Sequence, residues 1–256
     1  MLTLIHDHKF LTTRQLQALA FTHHASELSA ARTTRRVLQR LHRERLLASL
    51  PRRVGGMYGG AENPTWHLAP TGYRLHYLAS GGADDELPRR IREPSERTVK
   101  HCLAVADARI AVEETARETG DVLVVRIVTE PDNWRRYTDS MGTTEVLKPD
   151  LELVTRTSDE HGHYEDRWFL EVDLSTEHPP VIVRQCQQYE AYRRTGQEQD
   201  RTGVFPLVVW VVRTTARTQR LARAIRAARR LDTGLFRVIT GEQLPALIRG
   251  GVGGEL

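Results

Sequence analysis

Only two cysteines, Cys102 and Cys186, occur in the 256 residues. They are too few and too far apart for a disulfide framework or a four-cysteine zinc site, so a reducing compartment and two buried, unreactive thiols are expected. Long apolar runs are missing too. None approaches the roughly 18 residues of a membrane span, and the start, "MLTLIHDHKFLTTRQ", lacks an apolar core long enough for a signal peptide. A cytoplasmic chain with no membrane partner follows as the expectation. With 39% hydrophobic and 27% charged residues, the composition is that of a globular chain of one large or two ordinary domains, and two are expected.

Acids are scarce at the front. Residues 1–80 hold eleven Lys/Arg against four Asp/Glu, whereas residues 113–177 hold seventeen acids against seven basic residues. The first part is built to meet a polyanion and the middle to meet cations.

In the first part, "KFLTTRQLQALAF" has apolar residues at near-helical spacing, with Thr12 or Thr13 as N-cap of the second of two short helices. "SAARTTRRVLQRLHRERLL" then reads as a basic amphipathic helix. It sets Val37, Leu38, Leu41 and Leu46 to one side, with Arg32, Arg35, Arg36, Arg40 and Arg43 over the rest. A strand, a Gly-rich tip carrying Arg52 and Arg53, the returning strand "TWHL" and a helix opened by Pro70 follow. Helix, helix, basic helix and hairpin is the order of a winged helix-turn-helix, so double-stranded DNA is the expected partner. The arginines would act chiefly through phosphate contacts. Residues 81–97, rich in Gly, Pro and charge, read as a linker between a winged-helix domain (1–80) and a second domain (98–256).

The second domain opens with a helix from Cys102 to Ala116 and a buried strand, "DVLVVRIVTE". A hairpin follows, then the helix "VIVRQCQQYEAYRRTG", the strand "FPLVVWVVR", an Arg-rich helix (214–231) and a last strand, "LFRVIT". "PLVVWVV" suits a strand covered on both faces and parallel to a neighbour, giving an α/β class with a mixed sheet. Seven arginines, Arg213, Arg217, Arg220, Arg223, Arg226, Arg229 and Arg230, stand on or beside the late helix with no acid among them. They read equally as a phosphate track, with Arg220 and Arg223 as its contacts, or as a solvated face.

The hairpin carries the chemistry. In "RWFLEVDL" alternation puts Trp168, Leu170, Val172 and Leu174 on one face and Glu171 and Asp173 on the other; in "PDLELV" it groups Asp150 with Glu152. If Arg156 and Arg167 flank the turn, Asp150 faces Asp173 and Glu152 faces Glu171. Carboxylates so crowded call for a neutralising cation, and hard divalent metals take oxygen ligands of this kind, so Mg²⁺ or Mn²⁺ is expected at Asp150, Glu171 and Asp173. Glu130, at a strand end, is a further candidate ligand, preferred over Glu113 or Glu114. The His-x-His pairs at His6/His8 and His161/His163 lack a third ligand at fixed spacing and read as surface chemistry.

"PD" at Pro149–Asp150 followed by "E-x-D" at Glu171–Asp173 resembles the PD-(D/E)xK nuclease core, with Asp173 standing where that motif has lysine. Gln185 and Tyr189 in "QCQQY" resemble the Q-x-x-x-Y signature that accompanies the core in RecB-like members. Lys148, just before "PD", is the nearest lysine. Over nearly its full length the chain resembles the replication-relaxation family of mobile elements. The carriers are "FLTTRQLQALAF", "TTRRVLQRLHRERLL", "HCLAVADARI", "KPDLEL", "FLEVDLSTE" and "QCQQYEAY". The resemblance implies a winged helix followed by a restriction-endonuclease-like domain acting in plasmid replication or transfer. Asp150, Glu171, Asp173, Gln185 and Tyr189 would form its catalytic set, and proteins of that complex would be partners. Two functions compete: a metal-dependent DNA-nicking relaxase or nuclease, and a non-catalytic DNA-binding accessory whose nuclease-like core serves as scaffold or homodimerisation unit.

Overall fold

The computed structural model describes residues 1–22, 26–50, 63–82, 94–139, 141–159 and 162–253. They fall into two compact units, Met1–Ile110 and Ala111–Leu256. Arg52, Arg53 and His161 lie outside the described residues.

In the first unit α1 (Leu2–His8) and β1 (Leu11–Thr12) lead into α2 (Thr13–Ala20). The cap of α2 is Thr12: its hydroxyl accepts the Gln15 backbone N–H at 3.2 Å, and the Gln15 side-chain oxygen accepts the Thr12 N–H at 3.0 Å. The Gln15 amide then donates to the Leu103 carbonyl (2.8 Å) and to Asp107 (2.6 Å). One side chain thus starts α2 and fastens it to α5 (Glu96–Thr119), a helix longer at both ends than the sequence suggested.

Ser26 caps α3 (Glu27–Arg43) through the Ser29 N–H. Its buried stripe is Ala30, Thr34 and Leu38, spaced four apart, with Val37 and Leu41 half-buried at the flanks. Arg32, Arg35, Arg36, Arg40 and Arg43 are exposed, as the amphipathic pattern required. Strands β2 (Leu47–Ser49) and β3 (Thr65–Leu68) pair antiparallel, and β1 joins on the other side of β3. Then α4 (Pro70–Ala79) starts with Pro70 at its first position, where a missing N–H costs nothing. Ile5, Leu11, Leu16, Leu38, Leu47, Trp66 and Leu68 form the core of this unit.

The second unit contains β4 (Val122–Thr129), the hairpin β5 (Arg135–Thr138) and β6 (Thr144–Leu147), β7 (Leu151–Asp159), β8 (Gly162–Asp173), α6 (Pro179–Arg194), α7 (Gln197–Thr202), β9 (Leu207–Val212), α8 (Thr215–Ala227), β10 (Phe236–Thr240) and α9 (Leu244–Gly250). The order β10-β9-β8-β7-β4 is mixed: the first three strands run parallel and the last pairings are antiparallel. Every residue of β9 is buried, as expected of a strand covered on both faces. The expected burial of β4 is corrected. It is an edge strand with Leu123 and Val125 exposed and an irregularity between Val124 and Arg126. Hydrophobicity alone does not distinguish a central strand from an edge whose bulge discourages further pairing.

The expected hairpin register is also corrected. Leu151 faces Leu170 and Glu152 faces Phe169, two residues out of step with the anticipated pairing. A shift of two leaves the alternation of faces unchanged, so alternation could not detect it. The tight end at Asp159 and Gly162, together with the Arg156–Glu165 ion pair at 2.6 Å, fits the observed register.

Backbone contact leaves one position in the first unit without room for a side chain. A Cβ on Gly72 of α4 would lie 2.0 Å from the Leu46 carbonyl oxygen, which already accepts the Ala69 N–H. Gly72→Ala is expected to cost about 1–3 kcal/mol, the typical range for overpacking. Denaturant unfolding of the full chain checks this; parent-like stability would show that α4 does not pack on Leu46 as described.

Candidate functional site

Glu171 lies on the face of β8 that α6 covers, between Phe169 and Asp173. Ile182, Cys186 and Tyr189 of α6 pack there with Phe169, Val208 and Trp210, so the carboxylate face is interior rather than solvated. The Tyr189 hydroxyl donates to Glu171 Oε1 at 2.5 Å, and its ring packs 5.7 Å from that of Phe169. Burial above all, then the Asp150 carboxylate, and more weakly Glu130 and Glu177, push the Glu171 carboxyl well above its ordinary range; the Tyr189 hydrogen bond opposes this. Burial and the neighbouring Glu171 carboxylate likewise raise Tyr189, which keeps it a donor.

Asp150, just ahead of β7, is fixed by the Val172 N–H, which donates to its Oδ2 at 2.8 Å. The backbone of β8 therefore holds the first acid beside the second. Asp173, expected with them, is engaged elsewhere: Arg217 Nε donates to its Oδ2 at 2.6 Å and the Ser175 N–H to its Oδ1 at 3.0 Å. Glu152 turns to Arg135, which spans Glu152 (2.6 Å) and Glu198 (2.9 Å). Glu130 follows β4 and acts on Glu171 through its charge. Glu113 instead pairs with Arg117 one turn along α5.

Five acidic side chains are buried among the described residues: Glu152, Glu171, Asp173, Glu190 and Glu198. Four of them bond to arginine. Glu190 takes Arg193 and Arg194, and Glu198 takes Arg135 and Arg201 as well as the Tyr192 hydroxyl. Burial disfavours the charged form of Glu198, but the bonds from Arg201, Tyr192 and Arg135 outweigh it and hold the group below its ordinary range. Glu171 has a hydroxyl where the others have a guanidinium, so its protonated form is the one burial favours.

Gln185, one turn before Tyr189 on α6, has a buried side-chain oxygen with no hydrogen-bond partner among the described residues. Lys148 is exposed, its ammonium 4.2 Å from the Trp134 ring centre. Among the described residues no three His, Cys, Asp or Glu side chains converge at metal-ligating spacing. Asp150 and Glu171 supply two hard oxygen donors, the number Mg²⁺ commonly takes from protein when waters and substrate phosphates complete its shell.

Sequence reasoning missed the guanidinium partners. Arg135 and Arg217 are distant in sequence from the acids they bind, and no local pattern in the sequence marks either for burial.

The family model described as Replication-relaxation matches residues 2–208. No curated protein and no solved structure matches the chain.

The raised carboxyl has a consequence for stability. Above the ordinary value near 4.5 the unfolded chain ionises Glu171 while the folded chain resists. Its contribution is therefore present at low pH and lost as pH rises toward the folded value. Glu171→Gln, which keeps an acceptor for Tyr189, is expected to raise Tm by several degrees near neutral pH and to leave it unchanged near pH 4. Equal effects at both pH values, in melting curves, would refute the burial of an uncompensated acid.

Proposed function

We propose, from the premise that the chain belongs to the replication-relaxation family, that it is a DNA-binding protein of a mobile element's replication or transfer machinery. In this proposal its second unit cuts one DNA strand with the help of Mg²⁺ or Mn²⁺. What carries the second part is Glu171: it alone among the described buried acids has no arginine, and it lies beside Asp150. A buried acid left so is destabilising unless a cation joins it.

Support for DNA binding comes from α3, whose five exposed arginines stand on a helix followed by a β-hairpin. This order supports a winged helix-turn-helix that lays α3 in the major groove. Arg52 and Arg53, outside the described residues, remain DNA contacts proposed from the sequence alone. Arg40 is partly neutralised by Glu44 at 2.8 Å, so Arg32, Arg35, Arg36 and Arg43 carry more of the attraction. On α8 Arg220 and Arg223 are exposed and offer a second basic surface, whereas Arg217 is turned inward to Asp173.

The restriction-endonuclease-like reading of the second unit rests on the mixed sheet and on Asp150 and Glu171 meeting at adjacent strands. A divalent cation there would polarise a phosphodiester oxygen and lower the pKa of bound water. The chain's part is positional: Val172 N–H holds Asp150, Tyr189 holds Glu171, and Gln185 leaves a buried oxygen open to a donor. A second reading, a non-catalytic DNA-binding accessory, is favoured by the Asp173–Arg217 pair, which fills the place of the motif lysine with an internally neutralised ion pair.

Two experiments test these parts. Replacing Arg32, Arg36 and Arg43 by Ala should weaken duplex binding and lower the salt slope by about 0.9 for each phosphate no longer neutralised. Unchanged affinity at every salt concentration would remove α3 from the interface. For the site, Mg²⁺ or Mn²⁺ should raise Tm, by about 2.7 kcal/mol of stability at a hundredfold excess over Kd. Asp150→Asn should abolish both that rise and any nicking of supercoiled DNA. A metal response without nicking selects the accessory reading, and no response in calorimetry or melting defeats the metal site.

A further inference from the structure

We propose that Leu28 is a base-reading residue, set to meet the 5-methyl group of a pyrimidine in the DNA major groove. The inference deepens the DNA-binding reading above and rests on α3 lying in that groove. Leu28 is 73% exposed, more than any other large apolar side chain on a described helix. Its surroundings on α3 are polar.

Position on the helix separates it from an ordinary exposed leucine. The buried stripe of α3 is Ala30, Thr34 and Leu38. At about 100° per residue, Leu28 stands about 120° round from the middle of that stripe and within about 40° of Arg32, Arg35 and Gln39. All four are exposed, and at i, i+4, i+7 and i+11 they form one ridge that begins in the first turn. A local structural part does not account for the leucine. With Ser26 as N-cap, Leu28 is the second helical residue, whereas a hydrophobic staple joins the residue before the cap to the fourth, here Ala30.

The first turn of a helix bound in the groove is the part that reaches base edges. Arginine and glutamine read those edges through hydrogen bonds, which leucine cannot make. Its complement there is the C5-methyl group of thymine, or the same group on a methylated cytosine. Contact between the two takes apolar surface of both partners out of water, while the neighbouring guanidiniums engage phosphates or base acceptors. The arginines thus supply affinity, and Leu28 supplies a choice of base.

Selection of duplexes from a random library by the full chain, followed by Kd measurements at one fixed salt concentration, tests the contact. In the selected duplex each thymine is replaced in turn by deoxyuridine, which lacks the methyl group and keeps every hydrogen-bonding atom, and each cytosine by 5-methylcytosine. Binding is expected to weaken about fourfold at one thymine, the worth of one buried methyl group; a methylcytosine contact would instead show as binding about fourfold tighter at one cytosine. Leu28→Met should keep that difference. Leu28→Ala, which favours the helix at least as well and so leaves the fold intact, should lose it. No methyl effect at any position, enrichment of no sequence, or a methyl effect that survives Leu28→Ala would overturn the contact and leave duplex binding itself in place. A chain that binds no duplex at all would overturn the wider reading with it.

Discussion

A single hydroxyl, that of Tyr189, faces a buried carboxyl that no arginine or lysine among the described residues neutralises. The surroundings of that contact follow from it. Tyr189 reaches Glu171 because α6 lies flat on β8, and α6 lies there because Ile182, Cys186 and Tyr189 share the stripe that packs on Phe169, Val208 and Trp210. Burial pushes the Cys186 thiol up to about 12, so it acts as a small hydrophobe in this stripe. The same packing that stabilises the sheet also removes water from the acid.

The other buried acids show what the fold does when an acid has only a structural part. Arg135 joins β5 to β7 and α7 through Glu152 and Glu198, and its third nitrogen, Nη1, donates to the Asn133 carbonyl. Removing one partner from such a network leaves a bare buried charge, at a typical cost of about 3–5 kcal/mol. Arg217 joins α8 to the end of β8 through Asp173 and the Glu177 carbonyl. In both places guanidinium forks satisfy several acceptors at fixed angles, which lysine could not do. The basic character of α8 is thereby divided: Arg217 supports the sheet, and its neighbours are left to solvent or to phosphate.

Sequence is legible where local physics decides. Thr12 and Gln15 form a capping box because a hydroxyl and an amide three residues apart satisfy two orphan N–H groups. β9 announces itself by an apolar run too short for a membrane, and no helix among the described residues is long and apolar enough to cross one. Asp150, Glu171 and Tyr189 stand out in the motif pattern and do lie together. What escapes is set by distance in sequence. The β7–β8 register differs by two from the expected one because pleat parity is blind to even shifts. β4 reads as interior because Leu123 and Val125 do not reveal whether another strand lies outside them. The β5–β6 hairpin leaves no signature, since "RRYT" and "TEVL" are too short and too polar for alternation to register.

The two units also place their charge differently, and this decides which charges can act on a partner. On α3 the stripe of Ala30, Thr34 and Leu38 faces inward and the guanidiniums face out, with Glu44 the acid bonded to Arg40 at the end. Such a surface gains little from internal pairing, so most of its electrostatic free energy remains available to a polyanion and is screened by salt. The acid-rich unit does the reverse: Glu152, Asp173, Glu190 and Glu198 spend their charge on arginines inside the fold. Of the seventeen acids in 113–177, Glu152 and Asp173 are paired in this way, the first with Arg135 of the same stretch and the second with Arg217 beyond it. Among the described buried acids, Glu171 is the one left without an arginine, beside Asp150 and on the face that α6 covers. Burial holds Glu171 toward its protonated form, whereas hydrogen bonds from arginine hold Glu190 and Glu198 below the ordinary carboxylate range and so keep their charge inside the fold.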